Sequence, residues 1–220
     1  MNSNSKTALE INPNSPPVGS VIFLHGLGAS GDDFISFSPE LEKLTNLPLR
    51  FILPTAEDIP VTVNNGYQMP AWYDIFSLDK DAEIDQVGIE KSLRQVAALI
   101  EKEKAKGMPA EKIIVGGFSQ GAVIALNTLV SYPQRLAGII ALSGYLTASA
   151  EQGQAANRRT PVFLGHGISD EMVPCAAGEQ AYTSLKAANY PATWHAYRMG
   201  HSVCRAELVD LAGWLKPIFV

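Results

Sequence analysis

Gly117-Phe118-Ser119-Gln120-Gly121 constrains this chain more than any other stretch. It follows an apolar, β-branched run, Lys112-Ile113-Ile114-Val115, and precedes apolar residues at helical spacing over 122–130. That context dictates strand, sharp turn, helix. The turn forces Ser119 into a strained backbone, and the flanking glycines let neighbouring segments pass close by. The serine hydroxyl then stands at a sheet's carboxyl edge and at a helix N-terminus, where negative charge is favoured. From composition alone, Gly-x-Ser-x-Gly occurs by chance in roughly one chain of this length in fifteen. The flanking pattern therefore carries the information.

The rest of the chain supplies parallel neighbours for that strand. Residues 21–24, 51–54, 137–142 and 161–165 are short continuous apolar runs, the pattern of strands buried on both faces. Residues 193–197 alternate as a last strand. Val87, Ile89, Leu93, Val96, Ala97 and Ile100 trace a helical stripe ended by Gly107 and Pro109, and Val203, Leu208, Leu211, Ala212 and Leu215 trace a second. Ser30, with Asp32 and Asp33 behind it, marks a helical start. An α/β fold follows, with a mostly parallel central sheet and helices on both faces. Residues 1–17 are polar and rich in Pro, Asn and Ser, and are expected to be a flexible N-terminus. Residues 18–220 are expected to form one domain, since 220 residues at 46% hydrophobic suffice for one substantial core. Residues 55–78 hold no sustained period and read as a long loop. Its Met69, Trp72, Tyr73, Ile75 and Phe76 are too apolar for disorder, so it is either one wall of an apolar pocket or a plug of the core.

Charge and cysteine content exclude several function classes. A net charge of -5 opposes binding to nucleic-acid phosphates, and Lys102, Lys104 and Lys106, alternating with Glu101 and Glu103, read as a solvated helix face. Cys175 and Cys204 form neither a disulfide framework nor a metal-ligand pattern, which fits a reducing, cytoplasmic setting; thiol titration decides whether they pair. The sequence calls for no metal and no cofactor. It has no stretch apolar enough to span a membrane.

A serine on such a turn needs a base, an orienting acid and donors for an oxyanion. In the order serine, acid, histidine, the acid sits in the loop after a later strand. His166-Gly167-Ile168-Ser169-Asp170 is that loop. Asp170 is preferred over Glu171 because the preceding glycine and serine form a turn that aims a short side chain inward. Of four histidines, only His195 and His201 follow it; His195 lies within a strand, so His201, on a loop beside Gly200, is the candidate base. His25 and His166 read as loop histidines bonded to nearby backbone. The loop His25-Gly26-Leu27-Gly28 offers the Leu27 N–H as half of an oxyanion hole; the same glycines also read as a turn that only satisfies geometry. Tyr145 and Leu146, at the start of a second loop over 143–160, face the same pocket.

With these residues in hand, the chain resembles the carboxylesterase and acyl-protein thioesterase (phospholipase/carboxylesterase) family of α/β hydrolases. The matching stretches are 21–28, 69–75, 116–121, 136–143, 166–170 with 173–174, and 199–204, all in one order. The resemblance implies an α/β-hydrolase fold and hydrolysis of carboxylic esters or acyl thioesters through an acyl-serine. It aligns Ser119, Asp170 and His201 with a catalytic triad, Leu27 and Gln120 with the oxyanion hole, and Met69, Trp72, Tyr145 and Leu146 with an acyl channel. It implies a small-molecule ester or an acylated protein or lipid as substrate, and a homodimer as a partner state. This chain departs in having Ala122 where a further glycine is frequent, and Gly144-Tyr145 where Cys-Trp is frequent. Two other readings compete: a lysophospholipase with the same triad, and a non-catalytic binding protein on the same fold.

Overall fold

The computed structural model describes residues 8–77 and 83–219. Along the chain run β1 (Leu9–Ile11), β2 (Gly19–Leu24), α1 (Phe37–Thr45), β3 (Leu49–Leu53), β4 (Asp58–Val61), β5 (Tyr67–Pro70), α2 (Gln86–Ala105), β6 (Ile113–Phe118), α3 (Gln120–Ser131), β7 (Gly138–Leu142), β8 (Val162–Gly167), α4 (Cys175–Ala187), β9 (Ala192–Tyr197) and α5 (Arg205–Phe219). Seven strands form one sheet in the order β1-β3-β2-β6-β7-β8-β9, and every pair but β1·β3 is parallel.

Strand alternation divides the core in two. Ile22, Leu24, Ile113, Val115, Ile139 and Leu164 point to one face, where they meet α2, α3 and α4. Val21, Phe23, Phe51, Ile114, Ile140 and Phe163 point to the other, against α1 and α5. Helix α3 is buried from Gln120 to Val130, all but its last residue, so the element carrying the serine turn is the most enclosed helix among the described residues.

Three expectations change. The segment 1–17 contains an edge strand: Leu9–Ile11 pairs antiparallel with β3, and Glu10 binds Arg50 at 2.6 Å, while residues 1–7 lie outside the described residues. The segment 55–78 is not one long loop but carries the β4–β5 hairpin, which is separate from the main sheet; Leu78 lies outside the described residues. Its strands are four residues each, too short to establish a period, and Pro60 is tolerated because a two-stranded ribbon is all edge. Nor is the charged end of α2 wholly solvated: Glu103 is 2% exposed and accepts from Ser20 Oγ at 2.8 Å, Arg50 Nε at 2.9 Å and Lys106 Nζ at 3.1 Å. Helices α1 and α4 have no counterpart in the sequence reading, because each buries only a few residues.

Candidate active site

Four loops converge from the carboxyl ends of parallel strands, where open α/β sheets place their ligand sites. They follow β2, β6, β8 and β9 and carry Leu27, Ser119, Asp170 and His201.

Ser119 adopts φ 54°, ψ -120°, in the left-handed half of backbone space that a side chain rarely occupies. Close packing holds it there. A Cβ on Gly117 would lie 2.3 Å from the Gly121 carbonyl carbon, and one on Gly121 would lie 2.2 Å from the Leu24 carbonyl oxygen, so neither glycine tolerates a side chain. The Ser119 N–H donates to Leu142 O at 2.8 Å, and its C=O accepts from Ala122 and Val123 at the start of α3.

The side chains meet in one line. Ser119 Oγ lies 2.9 Å from His201 Nε2, and His201 Nδ1 lies 2.7 Å from Asp170 Oδ2. With its proton on Nδ1, the imidazole donates to the carboxylate and accepts from the serine. The other carboxylate oxygen, Oδ1, accepts from the N–H groups of Met172 and Val173, both at 2.9 Å. Burial pushes the Asp170 carboxyl up, but the His201 bond and these two N–H groups outweigh it and hold it below the usual carboxylate range. Glu171, the competing carboxylate, is exposed.

The remaining histidines lie outside that line, although His166 Nε2 comes within 3.4 Å of Asp170 Oδ2. His195, in β9, stacks on Phe163 with ring centroids 4.8 Å apart. His166 is buried and bonds Val173 O through Nε2 at 2.9 Å, and burial lowers its pKa. His25 is fully buried; its Nε2 accepts the Ala56 N–H at 2.9 Å, which leaves the ring proton on Nδ1 for the Gly26 C=O at 2.7 Å.

Leu27 lies beyond β2 with no acceptor for its N–H among the described residues, whereas Gly28 and Ala29 donate to Pro70 O and Gly26 O. Gln120 is the first residue of α3, so its N–H has no intrahelical acceptor. Among the residues expected at a pocket, Met69 is half-buried, with its sulfur 3.5 Å from where a Cβ on Gly28 would sit. Tyr145 and Leu146 pack half-buried against the core, and the Tyr145 hydroxyl lies 3.2 Å from that of Tyr73. Trp72 is 4% exposed, enclosed in the core. A Cβ at position 144 would lie 2.5 Å from Ala122 Cβ, so the two departures from the family pattern are one packing arrangement.

One residue at the site went unnoticed in the sequence. The Phe118 ring lies 4.7 Å from the His201 ring and braces it from the elbow side. Its place as a variable position inside the pentapeptide gave no signal. Among the described residues, no cluster of three or more His, Cys, Asp or Glu side chains is placed to hold a metal ion, both cysteines are free thiols, and no helix is long and apolar enough to cross a membrane.

A family model described as phospholipase/carboxylesterase matches residues 6–218. An acyl-protein thioesterase 1 from Neurospora crassa is 40% identical over 207 residues, covering 89% of this chain and 84% of its own. One from Candida albicans is 38% identical over 228 residues, covering 97% and 98%. The crystal structure of Zea mays acyl-protein thioesterase 2 superposes with a TM-score of 0.84 at 28% identity, over 97% of this chain and 99% of that one. The lysophospholipase and binding-protein readings are not favoured by these likenesses.

Proposed function

This chain belongs to the phospholipase/carboxylesterase family and is a serine hydrolase of esters and thioesters; from that premise we propose that Ser119, His201 and Asp170 are its catalytic triad and acyl thioesters on proteins its substrate class. The observation that carries this reading is the continuous line from Ser119 Oγ through His201 to Asp170, at 2.9 and 2.7 Å.

His201 takes the Ser119 proton as the hydroxyl attacks the acyl carbonyl, while Asp170, ionised because it is saturated with donors, holds the imidazole in the accepting tautomer. The developing oxyanion receives the N–H groups of Leu27 and Gln120, each worth roughly 3 to 4 kcal/mol in the transition state. Collapse releases the thiol or alcohol with the proton from His201 and leaves an acyl-serine. His201 then activates the water that frees the acid. The half-buried Met69, Tyr145 and Leu146 are proposed as walls for the acyl chain.

What supports a protein-borne acyl group as the substrate is that the relatives are named acyl-protein thioesterases. A cytoplasmic setting and a homodimer belong to the same reading; a monomeric mass at micromolar concentration would exclude the dimer. Measuring kcat/KM over matched esters and thioesters from short to long chains tests the substrate class, with Ser119→Ala as blank. Thioesters are expected to be cleaved faster than matched oxygen esters, and a maximum at short oxygen esters overturns the reading in favour of a general carboxylesterase.

A further inference from the structure

The two oxyanion donors proposed above come from loops far apart in sequence, and backbone donors are useful only if their peptide planes are held still before the substrate arrives. The Leu27 N–H belongs to the Gly26–Leu27 peptide, whose planar trans geometry aims it opposite the Gly26 C=O. That carbonyl is held by His25 Nδ1 at 2.7 Å and by the Ala29 N–H at 3.2 Å. The next peptide back, His25–Gly26, presents its own C=O to the Trp72 indole Nε1–H, at 2.9 Å.

Trp72 also reaches the second donor. Its backbone N–H donates to Gln120 Oε1 at 2.8 Å, and Gln120 Nε2 donates to the next carbonyl, that of Tyr73, at 2.7 Å. The Gln120 side chain is thereby fixed at both ends, and with it the residue whose N–H opens α3. The Trp72 carbonyl accepts from Ser92 Oγ on α2. Pro70 O, two residues earlier, accepts the Gly28 N–H at 2.8 Å. Every polar group of this buried tryptophan is thus engaged, and two of its three bonds go to the residues that precede or supply the oxyanion donors.

We infer that Trp72 is a positioning residue which locks the Leu27 and Gln120 N–H groups in mutual register, through its indole to His25 and its main chain to the Gln120 side chain. It touches no substrate. Its role is to keep two loops from drifting apart where charge develops on the acyl oxygen. The inference rests on the proposed oxyanion hole and deepens it. Of the two readings the sequence left open for Trp72, pocket wall or core plug, it starts from the second, since the ring is enclosed in the core with its N–H turned to a backbone carbonyl.

Trp72→Phe removes the indole N–H while keeping a ring in place, and Gln120→Leu removes both side-chain bonds while keeping the backbone donor. Both are assayed per Ser119 site titrated with a fluorophosphonate, so that misfolded chain is not counted, and with a trifluoromethyl ketone whose adduct on Ser119 carries an oxyanion. For each variant kcat is expected to fall about 10- to 100-fold, the scale of a small misplacement at the reacting atoms. KM should stay within about twofold, and the ketone should bind more weakly in step with kcat. Unchanged kcat and ketone affinity per titrated site in either variant overturns the inference. A change in KM with ketone affinity unmoved also overturns it, and returns Trp72 to the acyl pocket. A wild-type protein that is not labelled at Ser119, or whose Ser119→Ala variant keeps its turnover, sinks the underlying hole and triad instead.

Discussion

Asp170 and Glu207 are both enclosed carboxylates, and their surroundings are opposite. Asp170, after β8, has a side chain with no exposure and is met by His201 Nδ1 and the N–H groups of Met172 and Val173. Glu207, in the first turn of α5, is 0% exposed, and neither of its oxygens has a hydrogen-bond partner among the described residues. Burial pushes both up. In Asp170 the donors win and the carboxyl is held below its usual range, whereas Glu207 is pushed up to about 8, eased only by the Cys204 N–H nearby. Donor supply, not depth, decides which buried acid carries charge. The acid at the site is therefore ready to orient a histidine, while the acid under the sheet is a neutral packing group at neutral pH. Gly165 is where Glu207 fits: a Cβ there would lie 2.2 Å from Glu207 Oε1.

The sharpest way to break this contrast is Asp170→Asn. It keeps the shape, removes the charge and offers His201 the wrong tautomer, and kcat is expected to fall by about 10⁴. Near-normal turnover would move the acid role to Glu171. Glu207→Gln comes next, read in denaturant-monitored stability against pH. The folded state keeps a proton on Glu207 that the unfolded chain gives up near the ordinary glutamate value of 4.5, so this group's stabilising contribution is complete below that value and is lost as pH rises through about 8. The wild type should lose a few kcal/mol over that window relative to the variant. Parallel curves would show that Glu207 is not the isolated acid described above.

Asp170 has the reverse sign: its contribution is present above its unfolded value of 3.8 and is lost as pH falls through its lowered folded value. Glu10 is the surface version of the same case. Lys106 and Lys102, with Arg50, hold its carboxyl at about 2. Being 29% exposed and screened by solvent, it is expected to contribute at most about 1 kcal/mol, so Glu10→Gln should shift the midpoint slightly and less at high salt. The smallest effect is expected for Glu171→Gln, whose kcat should stay within about twofold, because its side chain is exposed beside Asp170.

What the sequence made legible was whatever a local backbone constraint or a long apolar period dictates. The serine turn announced itself because only glycines fit at 117 and 121, and the parallel strands because they are buried on both faces. The order serine, acid, histidine narrowed the histidines before any distance was known. Hidden were elements too short to show a period, such as β1, β4 and β5, and helices whose buried side is small, such as α4 with Gly178, Ala181 and Leu185. Buried acids were hidden as well. Glu103 and Glu207 look like surface residues, since nothing local says that Arg50, 53 positions away, faces the first, or that the second faces none. Trp72 read either as a pocket wall or as a core plug, and its burial agrees with the second; its bonds to His25 and Gln120 were hidden because they span 47 and 48 positions.

The most direct test of the account is rapid-quench mass spectrometry of the intact protein during turnover of a long-chain acyl thioester. One acyl group per chain, mapped to the peptide bearing Ser119 and accumulating in Asp170→Asn if loss of the oriented histidine slows deacylation more than acylation, is the predicted result. Steady turnover with the acyl group found on Cys175 or Cys204, or with no dependence on Ser119, would contradict it.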